Sequence, residues 1–194
     1  LISTFLNGMV KCTGYKPGAL EDRYSSDGVF LYDRLNKSDM EMLELAIRCH
    51  NMYRIPQGLN RREQAFCNVL RDADKVDIFK VNIDTPLEEI YNTTTEELMK
   101  SDITDEVLEA FDEEHCILKA IRRTPADTVI GHVSLAYELV YDESVRITVE
   151  QGYLAKLMHF HSDNEETNRK MAMVREKICL LYTSPSPRDL STSR

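Results

Sequence analysis

The chain has 194 residues, of which 42% are hydrophobic and 29% charged, and a formal net charge of −9. This length fits one domain around a single core, and the composition is typical of a folded globular protein. The negative charge excludes a typical DNA- or RNA-binding protein, because affinity for the phosphate backbone depends on clustered Lys and Arg. No apolar run approaches the roughly 20 residues that cross a bilayer, so no membrane partner is expected.

The cysteines indicate a reducing compartment. Their number is odd, they lie far apart, and they lack the Cys-x-x-Cys spacing of zinc and redox sites. The chain also lacks a secretory signal pattern at its start. We therefore expect free thiols in a cytoplasmic protein. The cysteines are Cys12, Cys49, Cys67, Cys116 and Cys179.

A first helix is predicted after a glycine-rich opening. Residues 1–28 hold four of the seven glycines and predict loops. From Ser38 the sequence Ser-Asp-Met-Glu is a capping-box pattern, which marks a helix start. We expect this helix to run to about Tyr53, because the residue before Pro56 avoids the helical region. Its helical spacing places His50 on the apolar face, near the C-terminal end.

A second helix is predicted from Asn60 to about Phe79, again from a capping pattern. Its spacing places Asp72 at the border of the buried stripe and Arg71 on the outward face. The short turn before it favours antiparallel packing on the first helix, which can bring His50 and Asp72 together. The other residues expected along the buried stripe are Ala65, Phe66, Val69, Ala73 and Val76.

His50 and Asp72 each have a structural explanation beside a functional one. A histidine near a helix end commonly donates a hydrogen bond to a carbonyl group. A buried acid in a helical core commonly pairs with an arginine, here Arg48 or Arg71. The residue types alone do not separate these structural explanations from ligand roles.

The rest of the chain predicts further helices and no alternating strand pattern. Thr85, Thr94 and Thr104 precede short helices, and Thr124-Pro125 opens a longer one whose buried stripe reaches Val140. We therefore expect an all-α domain over residues 1–180. The last helices are expected at 143–150, 153–160 and 164–180.

The remaining histidines and the acidic segment predict no site. His132 lies beside apolar residues and is expected to be structural, satisfying a neighbouring carbonyl. The acid-rich stretch 106–114 is most simply a solvated helix face. The histidines expected at the surface or in loops are His115, His159 and His161.

Residues 181–194 differ from the rest of the chain in composition. They are rich in Ser, Thr and Pro, and the string LYTSPSPRDLSTSR resembles the translated read-through of a sequencing adapter. We expect the last helix to end where this tail begins, and we regard the tail as non-native.

Two motifs in the first helical pair carry a family resemblance. The first reads Ala-Ile-Arg-Cys-His-Asn over residues 46–51, and the second reads Leu-Arg-Asp-Ala-Asp-Lys over residues 70–75. With most of residues 19–180, they resemble the HD-domain metal-dependent phosphohydrolase superfamily. The resemblance implies an HD-domain-like helical bundle that hydrolyses a phosphate ester or a nucleotide by metal-activated water.

The resemblance also implies roles for individual residues. Asp72 is expected to bind a divalent metal, and Asp74 is the second choice for that role. Ligand chemistry suits Mn, Fe, Mg or Zn. His50 is expected near the metal or the phosphate. The residues expected to contact an anionic substrate or orient ligands are Arg48, Asn51 and Lys75.

Residues 1–28 depart from the family pattern. The family carries a histidine and a His-Asp pair in this region, whereas the segment contains no histidine, and Gly28 or Arg23 stands where one is expected. The alternative function is therefore a degenerate HD domain that binds a nucleotide or a protein partner without hydrolysis. A further alternative is a fragment of an active parent that carries the missing ligands.

Overall fold

Every element that the computed structural model describes, over residues 36–183, is helical. The all-α class predicted from the sequence is confirmed for this part of the chain. The loops predicted for residues 1–28 lie outside the described residues. The α-helices are α1 (Lys37–Cys49), α2 (Arg61–Asp84), α3 (Leu87–Tyr91), α4 (Thr95–Lys100), α5 (Asp105–Asp112), α6 (Pro125–Val133), α7 (Asp142–Gln151), α8 (Tyr153–Met158) and α9 (Glu165–Thr183), and 3₁₀ helices span Lys119–Ile121 and Ser134–Glu138.

Helix α1 begins and ends earlier than its sequence predicts. Its N-cap is Asn36, whose side chain accepts from the Asp39 amide at 2.9 Å, so the predicted cap at Ser38 is wrong. Asn is as good an N-cap as Ser, and capping residues two positions apart compete for the same helix start. The helix ends at Cys49 rather than Tyr53. The chain after Cys49 therefore turns before Pro56 can act as the helix stop.

Helix α2 starts where the capping pattern predicts but runs further. The Asn60 side chain accepts from the Glu63 amide at 3.0 Å, and the Glu63 carboxylate accepts from the Asn60 amide at 2.9 Å. The helix continues to Asp84 rather than stopping near Phe79. Asn82 is buried in the extra turn, and its side-chain amide donates to the Ile78 carbonyl at 2.8 Å. Asn has a low helix propensity, and this side-chain hydrogen bond to the backbone accommodates Asn82 within the helix.

The buried face of α2 differs from the predicted stripe. Asp72 is 1% exposed, as predicted, but Arg71 is 6% exposed and its predicted outward position is wrong. Phe66 and Val69 were expected inside and are 43% and 57% exposed. Apolar spacing misplaced the face because α2 buries an unusual share of polar side chains. The buried residues along it are Cys67, Arg71, Asp72, Lys75, Phe79 and Asn82.

The chain divides into two compact units, with the boundary after Asp74 within α2. The described part of the N-terminal unit is residues 36–74, and its apolar cluster consists of Ala46, Cys49 and Cys67 with partly buried neighbours. The described part of the C-terminal unit is residues 75–183. Its larger core includes Phe79, Leu98, Ile103, Val107, Phe111, Ile117, Ala126, Val129, Ile130, Val133, Ala136, Leu154, Leu157, Met158, Met171, Val174 and Ile178.

In the C-terminal unit, helix α6 starts as predicted and ends early. Thr124 and Asp127 form its capping box, with Pro125 in the first turn. The chain then changes to a 3₁₀ helix at Ser134, whose hydroxyl donates to the Gly131 carbonyl at 2.9 Å. Val140 lies beyond this change and is 45% exposed, so its predicted place in the buried stripe is wrong.

The short helices follow their sequence signals closely. Thr94 and Glu97 form the capping box of α4. Thr104 precedes α5 as predicted, but its hydroxyl contacts the buried Asp127 carboxylate instead of capping its own helix. The Asp127 carboxylate also accepts from the amides of Thr104, Arg123 and Thr124, at 2.8, 2.9 and 3.1 Å. This one acid therefore satisfies donors at the starts of both α5 and α6.

The last three helices, α7 to α9, lie close to their predicted positions. Gly152 separates α7 from α8 at φ 68°, a left-handed conformation that glycine adopts without strain. Helix α9 continues to Thr183, so the expectation that it ends before residue 181 is wrong. Residues 184–194, the remainder of the predicted tail, lie outside the described residues. None of the helices within residues 36–183 has the length and apolar content that crossing a membrane requires.

Candidate functional site

His50 is the C-cap residue of α1 and is 7% exposed. Its Nδ1 lies 2.6 Å from the Ile47 carbonyl oxygen. A carbonyl oxygen only accepts hydrogen bonds, so Nδ1 carries the proton and donates. The neutral imidazole then presents its lone pair at Nε2. The structural role considered for His50 is therefore real, and it also sets the tautomer that a ligand would meet.

Arg71 holds the end of α1 through its guanidinium group. Its Nη1 donates to the Cys49 carbonyl at 3.2 Å, the His50 carbonyl at 3.4 Å, and the Met52 carbonyl. The Cys49 carbonyl also accepts from the Met52 amide at 3.2 Å, and the C-terminal end of a helix favours positive charge. Arg71 thereby caps α1 from the next helix. The sequence placed this side chain outside because helical spacing carries no information about such a bond.

Asp72 and Asp74 differ in burial and lie on different sides of α2. Asp72 is 1% exposed, and Asp74 is partly buried. Two positions along an α-helix correspond to about 200° of rotation, so the two carboxylates lie on nearly opposite sides of α2. They cannot readily ligate the same ion. Asp72 is the better candidate because it is the buried one.

The three residues predicted to contact a substrate differ in burial. Arg48 and Asn51 are exposed around the end of α1. Lys75 is 4% exposed and belongs to the C-terminal unit. The predicted pairing of His50 with Asp72, and the contacts of these three residues with a substrate, stay predictions.

The two cysteines in the described part of the N-terminal unit, residues 36–74, are buried. Cys67 is fully buried, and Cys49 is 1% exposed. Burial, with a further contribution from the neighbouring Cys49 thiol, raises the pKa of Cys67 to about 11. A protonated, inaccessible thiol is a poor nucleophile and a poor metal ligand. These cysteines therefore serve as small apolar core residues.

One group of potential metal ligands within residues 36–183 brings three donor atoms close together, and it lies in the C-terminal unit. The His115 imidazole, the Cys116 thiol and the Glu138 carboxylate each offer an atom, and these atoms lie within 4.8 Å of one another. His50, Asp72 and Asp74 do not belong to this group. The sequence placed His115 at the surface or in a loop. The adjacency of His and Cys was the only available signal, because nothing in the spacing connects them to Glu138.

His132 in α6 lies among apolar residues and near the positive charges of Arg122 and Lys119. Its Nδ1 is buried without a hydrogen-bond partner, contrary to the carbonyl contact expected for it. The Tyr91 ring lies 5.7 Å away between centroids. Burial, together with the nearby Arg122 and Lys119, lowers the pKa of His132 from 6.5 to about 4. The neutral imidazole is therefore an internal packing residue at physiological pH.

Comparisons with known proteins add no further assignment to this geometry. No protein-family model matches the chain, and no curated protein or solved structure is significantly similar to it.

Proposed function

We propose that the protein is a metal-dependent phosphohydrolase of the HD class, acting on a phosphate ester or a nucleotide. The observation that carries the proposal is the hydrogen bond from His50 Nδ1 to the Ile47 carbonyl, 2.6 Å long. Histidines that bind metals nearly always donate their other ring N–H to a carbonyl or carboxylate, which fixes the tautomer and orients the ring. His50 is a buried histidine whose tautomer is fixed in this way. Together with the HD-like motifs of residues 46–51 and 70–75, this supports a ligand role for it.

The donors present suit some divalent metals better than others. His50 and the buried Asp72 supply one imidazole and one carboxylate. Mg²⁺ commonly binds through only one or two protein carboxylates, with waters and substrate phosphates completing the shell, and Mn²⁺ accepts similar oxygen-rich sites. Catalytic Zn²⁺ usually needs three protein ligands. We therefore favour Mn²⁺ or Mg²⁺ at this site, held by His50 and Asp72, with Asp74 facing away.

The bound metal would lower the pKa of a water and polarise a phosphoryl oxygen. The chain itself would supply the orientation of the ligands and the contacts with the phosphate. The carboxyl-terminal end of α1 disfavours an anion, because the helix dipole is negative there. The exposed Arg48 lies in the last turn of that helix, where its charge offsets the dipole. Arg48 and Asn51 are thus the proposed substrate contacts.

The test is a phosphatase assay on a panel of nucleotides and phosphate esters with added Mn²⁺. Asp72→Asn keeps the side-chain volume and removes the ligand charge, and we expect it to lower kcat/KM at least about tenfold. Asp77→Asn, on the same helix, is the matched control and should retain the wild-type rate. Equal rates for the wild-type protein and Asp72→Asn would remove the proposal.

The second candidate function is a degenerate HD-like domain that binds a nucleotide or a protein partner without hydrolysis. The absence of histidine from residues 1–28 favours it, because the HD family draws most of its ligands from that region. Elemental analysis of the purified protein separates the two candidates. Stoichiometric Mn that disappears in Asp72→Asn argues against the degenerate domain. A nucleotide that raises the melting temperature of metal-free protein without being hydrolysed argues for it.

A further inference from the structure

The segment after α5 is tied to the 3₁₀ helix that follows α6. Glu114 has a φ of 55°, which turns the chain sharply after the helix. The Ile117 amide then donates to the Ser134 hydroxyl at 3.0 Å, and the Cys116 amide lies 3.2 Å from Glu138 Oε1. All of these residues belong to the C-terminal unit. Two segments that are distant in sequence are thereby held side by side, with His115 and Cys116 on one and Glu138 on the other.

His115 and Glu138 meet at one pair of atoms. His115 Nδ1 contacts Glu138 Oε1, and the Cys116 amide lies 2.7 Å from the same Nδ1. When the amide donates to Nδ1, the nitrogen uses its lone pair and faces a carboxylate that also has only lone pairs. That arrangement is unfavourable, so Nδ1 either carries a proton and donates to Glu138 Oε1, or binds a cation that the carboxylate also binds. In both cases the Cys116 amide donates to Glu138 Oε1, 3.2 Å away.

The third donor, the Cys116 thiol, favours a metal ion over a proton as the group that these side chains share. Cys116 adds a thiol, which as a thiolate is a soft ligand with little use in a His-Glu ion pair. Imidazole, thiolate and carboxylate together suit Zn²⁺, whereas Mg²⁺ and Ca²⁺ prefer oxygen ligands alone. Ligands of a tetrahedral zinc ion lie roughly 3.3–3.8 Å apart, given metal–ligand bonds of about 2.0–2.3 Å. Donor atoms already within 4.8 Å of one another need only small side-chain rotations to reach that spacing.

The site is sheltered but open to solvent. The His115 and Glu138 side chains are 25% and 16% exposed, and Cys116 is partly buried. A divalent ion can therefore reach the donors without unfolding the loop. Three protein ligands leave a fourth tetrahedral position, which water or a small ligand would fill.

We propose that His115, Cys116 and Glu138 form a Zn²⁺ site with one open coordination position, separate from His50 and Asp72. Zinc binding there pins the loop after α5 to the 3₁₀ helix at residues 134–138. It also releases a proton from the thiol, so binding weakens as the pH falls. The site uses a donor set, and a part of the chain, that the proposed hydrolase site does not use.

The test begins with metal-free protein titrated with Zn²⁺ against a chromophoric chelator. We expect one equivalent to bind, with at least about tenfold weaker affinity in Cys116→Ser and in Glu138→Gln. Matched controls are Cys179→Ser and His159→Gln, which change an exposed cysteine and an exposed histidine. A third control, Asp72→Asn, separates this site from the proposed hydrolase site. All three controls should bind Zn²⁺ like the wild-type protein.

Co²⁺ substitution gives a readout that does not depend on a variant folding. A thiolate ligand produces a sulfur-to-cobalt charge-transfer band in the near ultraviolet, which we expect in the wild-type protein and not in Cys116→Ser. The proposal is overturned if the wild-type protein binds no Zn²⁺, or if its Co²⁺ form lacks this band. It is also overturned if Asp72→Asn abolishes binding while Cys116→Ser and Glu138→Gln leave the affinity unchanged.

Discussion

The two units of the chain are stabilised in different ways. The described part of the N-terminal unit, residues 36–74, has an apolar cluster of Ala46, Cys49 and Cys67, and it also buries His50, Arg71 and Asp72. The C-terminal unit has a broad core of aliphatic and aromatic residues around Phe111 and Ile130. These buried polar side chains depend on satisfied hydrogen bonds, because each buried polar group that loses its partner costs stability. Residues that look functional therefore concentrate where the fold also needs them.

The largest effect is expected from the apolar core of the C-terminal unit. Phe111 is fully buried and packs edge-on against Tyr137, with 5.1 Å between ring centroids. Phe111→Ala should lower the free energy of unfolding by about 3–5 kcal/mol, measured by urea denaturation. Val149→Ala changes a residue that is 61% exposed and should alter it by less than about 0.5 kcal/mol. A similar loss in both variants would contradict a core centred on Phe111.

A pH effect of nearly this size is expected from His132 in the same unit. Its pKa in the folded protein is about 4, below the ordinary 6.5, because the imidazole is buried beside Arg122 and Lys119. The unfolded chain therefore binds the proton more readily than the folded protein. The stabilising contribution is complete above pH 6.5 and is lost as the pH falls towards 4, by about 3 kcal/mol in total.

The measurement for His132 is the free energy of unfolding between pH 7 and pH 4, compared with that of a non-titrating variant. We expect His132→Gln to flatten the curve relative to the wild-type protein, since carboxylates titrate alike in both. His159→Gln removes an exposed histidine and should leave the curve unchanged. Parallel curves for the wild-type protein and His132→Gln would show that His132 is not the buried neutral group described above.

In the N-terminal unit, the polar counterpart of Phe111 is Arg71. Arg71→Met keeps the aliphatic stem and removes the hydrogen bonds to the carbonyls at the end of α1, so it should cost about 2 kcal/mol of unfolding free energy. Arg62→Met removes an exposed ion pair with Asp39 and should cost less than about 0.5 kcal/mol. Equal stabilities of these two variants would mean that the unit does not depend on the Arg71 cap.

The smallest effect concerns the thiols and is kinetic. The raised pKa of Cys67, about 11, leaves on the order of 0.1% thiolate at pH 8, and the side chain is fully buried. Cys179 is exposed. Peptide mass mapping after treatment with iodoacetamide should show Cys179 modified at least about 100-fold faster than Cys67. Rapid modification of Cys67 in folded protein would show that the N-terminal unit opens easily.

Local signals in the sequence predicted much of the fold. The capping patterns at Asn60, Thr94 and Thr124 mark true helix starts, because a cap is a hydrogen bond between residues three positions apart. The burial of Asp72 was also predicted. The cap of α1 was misplaced because Asn36 and Ser38 are equally good caps two positions apart. The ends of α1, α2, α6 and α9 were also misplaced.

Long-range contacts account for the remaining errors. Arg71 was placed outside because its partners, the carbonyls at the end of α1, lie about 20 positions earlier in the chain. His115 lies in a loop, as predicted, but its contact with Glu138, 23 residues later, was not predicted. Neither distance along the sequence matches a helical period or belongs to a known motif. Such pairs become visible only when the chain is folded.

The sequence by itself determined the all-α class and most helix starts. These depend on neighbouring residues or on a spacing of three to four positions, which composition and pattern record. Tertiary structure alone decided the tautomer available at His50, the cap that Arg71 provides, and the meeting of His115 and Cys116 with Glu138. Each of these is a directional contact of one atom with another, and direction is set by packing between elements rather than by order along the chain.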